Sequence, residues 1–123
     1  SLYATEEVLP SKYVAMMVPG PHQEIYGLAT FNFSGRYANG TEGRAWGHLG
    51  DTYGFTSIIA YFPNISMGLA VATNVEGSEQ TAPREVLCVV YNRLLDWVRG
   101  RSEARTCRYI HVSFYLSGCQ CSA

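Results

Sequence analysis

Residues 52–75 carry no charged side chain, and an uncharged run of that length is either a membrane helix or buried strands. Pro63-Asn64 interrupts the run near its middle, and aromatic, β-branched and small residues fill both sides of the break. Asn64-Ile-Ser is also a glycosylation acceptor, which has no place in lipid. Two strands joined by a turn are therefore expected. In the first, Phe55, Ser57, Ile59 and Tyr61 alternate with Thr56, Ile58, Ala60 and Phe62. Both sets are largely apolar, which predicts a central strand covered on both faces. In the second, bulky Met67, Leu69, Val71 and Thr73 alternate with small Gly68, Ala70, Ala72 and Asn74. The small face is the expected seat for a wide element.

A helix supplies that element. Thr81 suits its cap, Pro83 and Glu85 its first turn, and Gly100 its end. Leu87, Tyr91, Leu94 and Val98 recur at helical spacing, with Val86, Val90 and Trp97 beside them. Upstream, residues 24–33 read as a strand and 35–43, with three glycines and Asn39, as its turn. Residues 44–51 read as a second strand, carrying Trp46 and His48. Residues 11–17, after Leu9-Pro10, form a short helix stopped by Val18-Pro-Gly-Pro. The expected fold class is α+β: a helix, an antiparallel sheet of four strands, and a C-terminal helix packed on one face.

The formal net charge of −1 gives no reason to expect a nucleic-acid partner or an anionic membrane, and no membrane span is expected. Charge is unevenly spread. Residues 1–98 hold five Lys and Arg against nine Asp and Glu, or −4, whereas 99–123 hold four Arg and one Glu, or +3. The chain therefore divides into a main portion, 1–98, and an atypical tail, 99–123, expected to be poorly ordered. Within the tail, residues 109–116 could form a strand, but one with no evident place. Cys88 reads as a small buried hydrophobe of the helix. Cys107, Cys119 and Cys121 fall in the tail, and their spacing is not that of a zinc site. Three of the five asparagines, Asn32, Asn39 and Asn64, sit in acceptor sequons where chance gives roughly 0.7. That density suggests a secreted or extracellular glycoprotein.

The most informative stretch is Trp46-Gly-His-Leu-Gly-Asp-Thr-Tyr-Gly-Phe-Thr-Ser57, followed by Tyr61-Phe-Pro and by Met67-Gly-Leu-Ala-Val-Ala-Thr-Asn74. With Tyr26-Gly-Leu28 and Leu9-Pro-Ser-Lys-Tyr-Val-Ala-Met-Met-Val-Pro19 ahead of it, this ordered set resembles the C-terminal part of the serine β-lactamase-related family, which contains class C β-lactamases, DD-peptidases and related esterases. The resemblance spans about residues 5–98. It implies that His48, Leu49 and Gly50 stand at the Lys-Thr-Gly or His-x-Gly motif of the strand that edges the active site. A strand beside a nucleophilic serine can offer a backbone N–H to the oxyanion of acyl transfer, and by position that donor is Asp51. Gly50, without a side chain, lets substrate lie against the strand, and His48 would orient a substrate carboxyl or carbonyl group. Leu49 and Tyr53 are the implied substrate-contacting positions. Leu49 stands where the family has Thr, Ser or Gly, and the missing hydroxyl weakens the expectation of carboxylate recognition of the β-lactam kind. The plainer alternative is that His48 is a strand histidine bonded to a neighbour.

The family's nucleophile and base occupy Ser-x-x-Lys, one helical turn apart. No serine here has a lysine at that distance, since Lys12 is the only lysine. Tyr37-Ala38-Asn39 spells the family's Tyr-x-Asn but lies only about ten residues before His48, inside a turn and over a sequon, and reads as coincidence. There is no Gly-x-Ser-x-Gly elbow, no phosphate loop and no metal-ligand spacing around His22, His48 and His111, so neither cofactor nor metal is expected. Asp51, His48 and Ser57 form a conceivable triad whose geometry the sequence does not establish. The expected function is part of a serine hydrolase acting on amide or ester bonds of a small or peptide-like substrate through an acyl-serine intermediate. Its nucleophile would come from an N-terminal portion of the same fold, so that this chain alone is inactive. The alternative is a secreted non-catalytic binding module or pseudo-enzyme of that fold.

Overall fold

The computed structural model describes residues 8–18, 25–34, 43–75, 81–103 and 107. Five of its elements follow from local chemistry. Pro10 opens helix α1, Ser11–Met17, by accepting the Tyr13 N–H at 2.9 Å. Strands β2, Trp46–Thr52, and β3, Phe55–Phe62, are closed into a hairpin by Tyr53 and Gly54, with Gly54 at φ 83 supplying the left-handed residue of the turn. From β3 the chain passes through one 3₁₀ turn, Pro63–Ile65, and left-handed Ser66 into β4, Met67–Thr73. Proline thus sits in the turn, where the missing N–H costs no ladder bond. The uncharged run is two paired strands, as its pattern predicts.

A two-residue strand β1, Phe31–Asn32, completes an antiparallel sheet ordered β1-β2-β3-β4, with helix α2, Thr81–Arg99, following it. The single strand expected over 24–33 is instead, within residues 25–34, a tight hairpin. Tyr26 bridges Phe31, the Gly27 N–H bonds the Thr30 carbonyl at 2.8 Å, and Ala29 takes φ 51. A residue with positive φ cannot continue an extended strand, and the sequence Gly-Leu-Ala gave no warning of one. Gly100, at φ 62, ends α2 as expected, and the Arg101 N–H reaches back to the Asp96 carbonyl at 3.2 Å.

The helix covers the other face of the sheet from the one predicted. Cross-strand pairing puts Ile58 opposite Val71 and Leu49, and Ala60 opposite Leu69, and this bulky face packs on α2. Phe62 stacks on Tyr91 with ring centroids 3.8 Å apart. Gly68, Ala70 and Ala72 are exposed on the opposite side. Burial explains the reversal: a helix gains more by covering Leu69 and Val71 than by covering alanine and glycine. β3 is central in the sheet but covered on one face only, since Ile58 is 1% exposed and Ile59 55%.

The buried stripe of α2 is also rotated from the expected one. Leu87, Cys88, Tyr91 and Leu95 are buried and Leu94 half-buried, whereas Val86, Val90, Trp97 and Val98 are exposed. Two overlapping apolar stripes satisfy the same period. The one used stacks Tyr91 on Phe62 and brings Cys88 to Cys107. Those two cysteines form a disulfide with Cα atoms 6.1 Å apart, so Cys88 is not a free hydrophobe. The bond ties the chain beyond the helix to the core, against which Cys107 packs. Asn39 and the 37–39 tripeptide, His22, His111, Cys119, Cys121 and the 109–116 run lie outside the described residues.

Candidate active site

Strand β2 approaches β3 very closely at one point. A Cβ on Gly47 would collide with the carbonyl oxygen of Ile59, so glycine is required there for steric reasons. Three residues on, Gly50 faces Ser57 across the hairpin, and a Cβ on Gly50 would strike the Ser57 hydroxyl. The gap left by the glycine is thus partly filled by Ser57.

His48 lies between these glycines on the uncovered face and is exposed. Its Nε2 is 2.8 Å from the Tyr26 hydroxyl, the phenol donating when that nitrogen is unprotonated. The short hairpin around Ala29 sets Tyr26 in place. Its ring lies 4.3 Å from that of Phe31, and the Phe31 ring lies 5.6 Å from the imidazole. His48 is therefore a histidine bonded to a neighbour, held so that one edge is fixed and the ring borders open space. Tyr26 was visible in the sequence only as part of Tyr-Gly-Leu. Pairing it with a histidine 22 positions away required the fold.

Beside His48 the uncovered face forms an open depression of about 330 Å³. Gly50, Ser57, Ile59, Ala70 and Ala72 line it, with Leu49, Ile58 and Val71 between them. The Leu49 side chain itself packs against the core on the helix side, so at this position only the backbone faces the depression. Asp51 pairs with Thr56 and falls on the helix side too. Tyr53, in the turn, is 97% exposed. His48 and Gly50 are brought together at the depression, whereas Leu49, Asp51 and Tyr53 turn their side chains elsewhere. The conceivable triad is not assembled, because Asp51 lies across the sheet from His48 and Ser57.

Asp51 has a different asset. β1 pairs with β2 only through Phe31 with Gly47 and Asn32 with Trp46, and the Phe33 N–H bonds the Ala45 carbonyl at 2.8 Å. Backbone polar groups alternate in direction along a strand, so residues 45, 47, 49 and 51 point to the β1 side. Beyond Gly47 no described strand lies there. The Leu49 and Asp51 amides therefore point to an edge of β2 that no described strand covers, next to His48.

Of the sequon asparagines, Asn64 is exposed in the turn after β3. Asn32 is half-buried in β1, its Oδ1 accepting the Ser34 N–H at 2.9 Å. Among the described residues no helix is long and apolar enough to cross a membrane. Comparison with protein-family models, with curated proteins and with solved structures finds no match.

Proposed function

We propose that this chain is the sheet portion of a serine hydrolase of the β-lactamase-related type, acting on an amide or ester substrate through an acyl-serine intermediate. The observation that carries this reading is the edge of β2 beyond Gly47, where no described strand pairs and to which strand alternation points the Leu49 and Asp51 amides, beside an oriented His48 and an uncovered depression. Acyl transfer needs an N–H aimed at the developing oxyanion, a close approach for substrate, and a polar group at the rim. The Asp51 amide, Gly50 and His48 fill these roles in turn. In this proposal the serine and its lysine base come from polypeptide N-terminal to this portion, seated against the same edge. Secretion is part of the reading. The Cys88–Cys107 disulfide belongs in an oxidising compartment, where the acceptor sequons at Asn32, Asn39 and Asn64 could carry glycan.

Intact-mass measurement after incubation with a penicillin or an activated ester tests the assignment of the nucleophile. No covalent adduct is expected on this chain alone, and an acyl adduct is expected on the Ser-x-x-Lys polypeptide when the two are combined. An adduct on this chain that disappears in Ser57→Ala would overturn the reading.

A further inference from the structure

Tyr26 stands on a firm platform for a residue outside the main sheet. Backbone bonds close on both sides of it: the Asn32 N–H donates to the Ile25 carbonyl and the Gly27 N–H to the Thr30 carbonyl, each at 2.8 Å. Its ring leans on Phe31, which in turn stacks on buried Phe33 with centroids 5.7 Å apart. The imidazole of His48 meets the phenol ring in a T-shaped contact at 5.7 Å. With both rings held, the 2.8 Å bond between the Tyr26 hydroxyl and His48 Nε2 decides which imidazole nitrogen carries the proton. A phenol O–H is a strong donor and its ring-conjugated oxygen a weak acceptor, whereas an unprotonated imidazole nitrogen accepts well. Among the described residues neither group has another hydrogen-bond partner. The hydroxyl therefore donates, Nε2 accepts, and the proton of the neutral ring resides on Nδ1.

We propose that Tyr26 is a positioning residue that keeps neutral His48 in the Nδ1–H tautomer, so that the histidine offers a hydrogen-bond donor to a carbonyl oxygen of the substrate at the depression. The two ring nitrogens lie on opposite flanks of the imidazole, so committing Nε2 to Tyr26 leaves Nδ1 for a ligand. Among the described residues no Asp, Glu, Lys or Arg lines the depression, which suits the carbonyl of an uncharged acyl group better than a carboxylate. The role given to the substrate rests on the acyl-serine reading, whereas the tautomer does not.

Nitrogen–proton correlation NMR of the imidazole tests the tautomer on the full chain, with the ring neutral and the signals assigned by their loss in His48→Gln. Nδ1 is expected to carry the proton. Tyr26→Phe removes the hydroxyl and keeps the ring on Phe31, and it should lower the ratio of Nδ1–H to Nε2–H about tenfold. An Nε2–H ring in the unsubstituted chain, or a ratio that Tyr26→Phe leaves unchanged, would overturn the proposal. After combination with the Ser-x-x-Lys polypeptide, the same variant should lower kcat/KM for an uncharged chromogenic ester about tenfold while leaving the unfolding midpoint in place. Ester turnover indifferent to Tyr26→Phe would overturn the positioning role. A tautomer that responds in a combination that turns over no ester would uphold the Tyr26–His48 device and refute the acyl-serine reading instead.

Discussion

Ile58 and Ile59 are identical neighbours in one strand, yet the first is enclosed beneath α2 and the second stands half in water. The Ile58 side is packed: Phe62 stacks on Tyr91, Leu69 and Val71 pack on the core, and the buried Thr56 hydroxyl lies 2.8 Å from that of Thr73. On the Ile59 side Phe55 and Ile59 are exposed, Gly50, Ser57, Ala70 and Ala72 leave a depression, and a histidine is held at its border. The covered face accounts for why the chain folds. The uncovered face, where stability asks for little, is where chemistry has room.

The contrast is sharpest in a pair of substitutions. Ile58→Ala should destabilise by about 2–5 kcal/mol in denaturant unfolding, whereas Ile59→Ala should cost under about 1 kcal/mol. Similar costs at both positions would show that the Ile59 side is also enclosed. Cys107→Ser should cost about 2–4 kcal/mol for a sequence separation of 19, and reducing agent should produce the same loss in the unsubstituted chain and none in the variant. Gly47→Ala, which meets the backbone oxygen of Ile59, should cost about 1–3 kcal/mol, since neither group can move aside easily. Gly50→Ala meets only a rotatable hydroxyl and should cost less than about 1 kcal/mol, with Ser57→Ala restoring what is lost. His48→Ala, at the smallest end, should change stability by no more than about 0.5 kcal/mol.

Strands β2, β3 and β4, the turns between them and the limits of both helices were legible because each rests on a local cue, such as the proline after Phe62 and Gly100 past the helix, whereas the strand expected over 24–33 gave way to a hairpin with no such cue. Which face the helix takes was not legible either. Small residues at Gly68, Ala70 and Ala72 suggested a seat, but apolar area decided, and the larger area lay with Leu69 and Val71. The rotation of α2 was equally hidden, since Val86, Val90 and Trp97 fit the helical period as well as the residues buried. The Cys88–Cys107 bond and the Tyr26–His48 contact join positions 19 and 22 apart in sequence, and no local pattern announces such pairs. His48 and Gly50 could be singled out because a motif resembled them. That no described strand pairs with β2 beyond Gly47, on the side to which the Asp51 amide points, could be known only from the fold.

The proposal places β2 at the rim of a reaction centre whose attacking hydroxyl lies on other polypeptide. Steady-state hydrolysis of a chromogenic ester is the direct measurement, made on this chain alone and after combination with the Ser-x-x-Lys polypeptide. The predicted result is no turnover above the spontaneous rate alone, turnover on combination, and a fall of about a hundredfold in His48→Ala. Hydrolysis by this chain alone, abolished by Ser57→Ala, would contradict it.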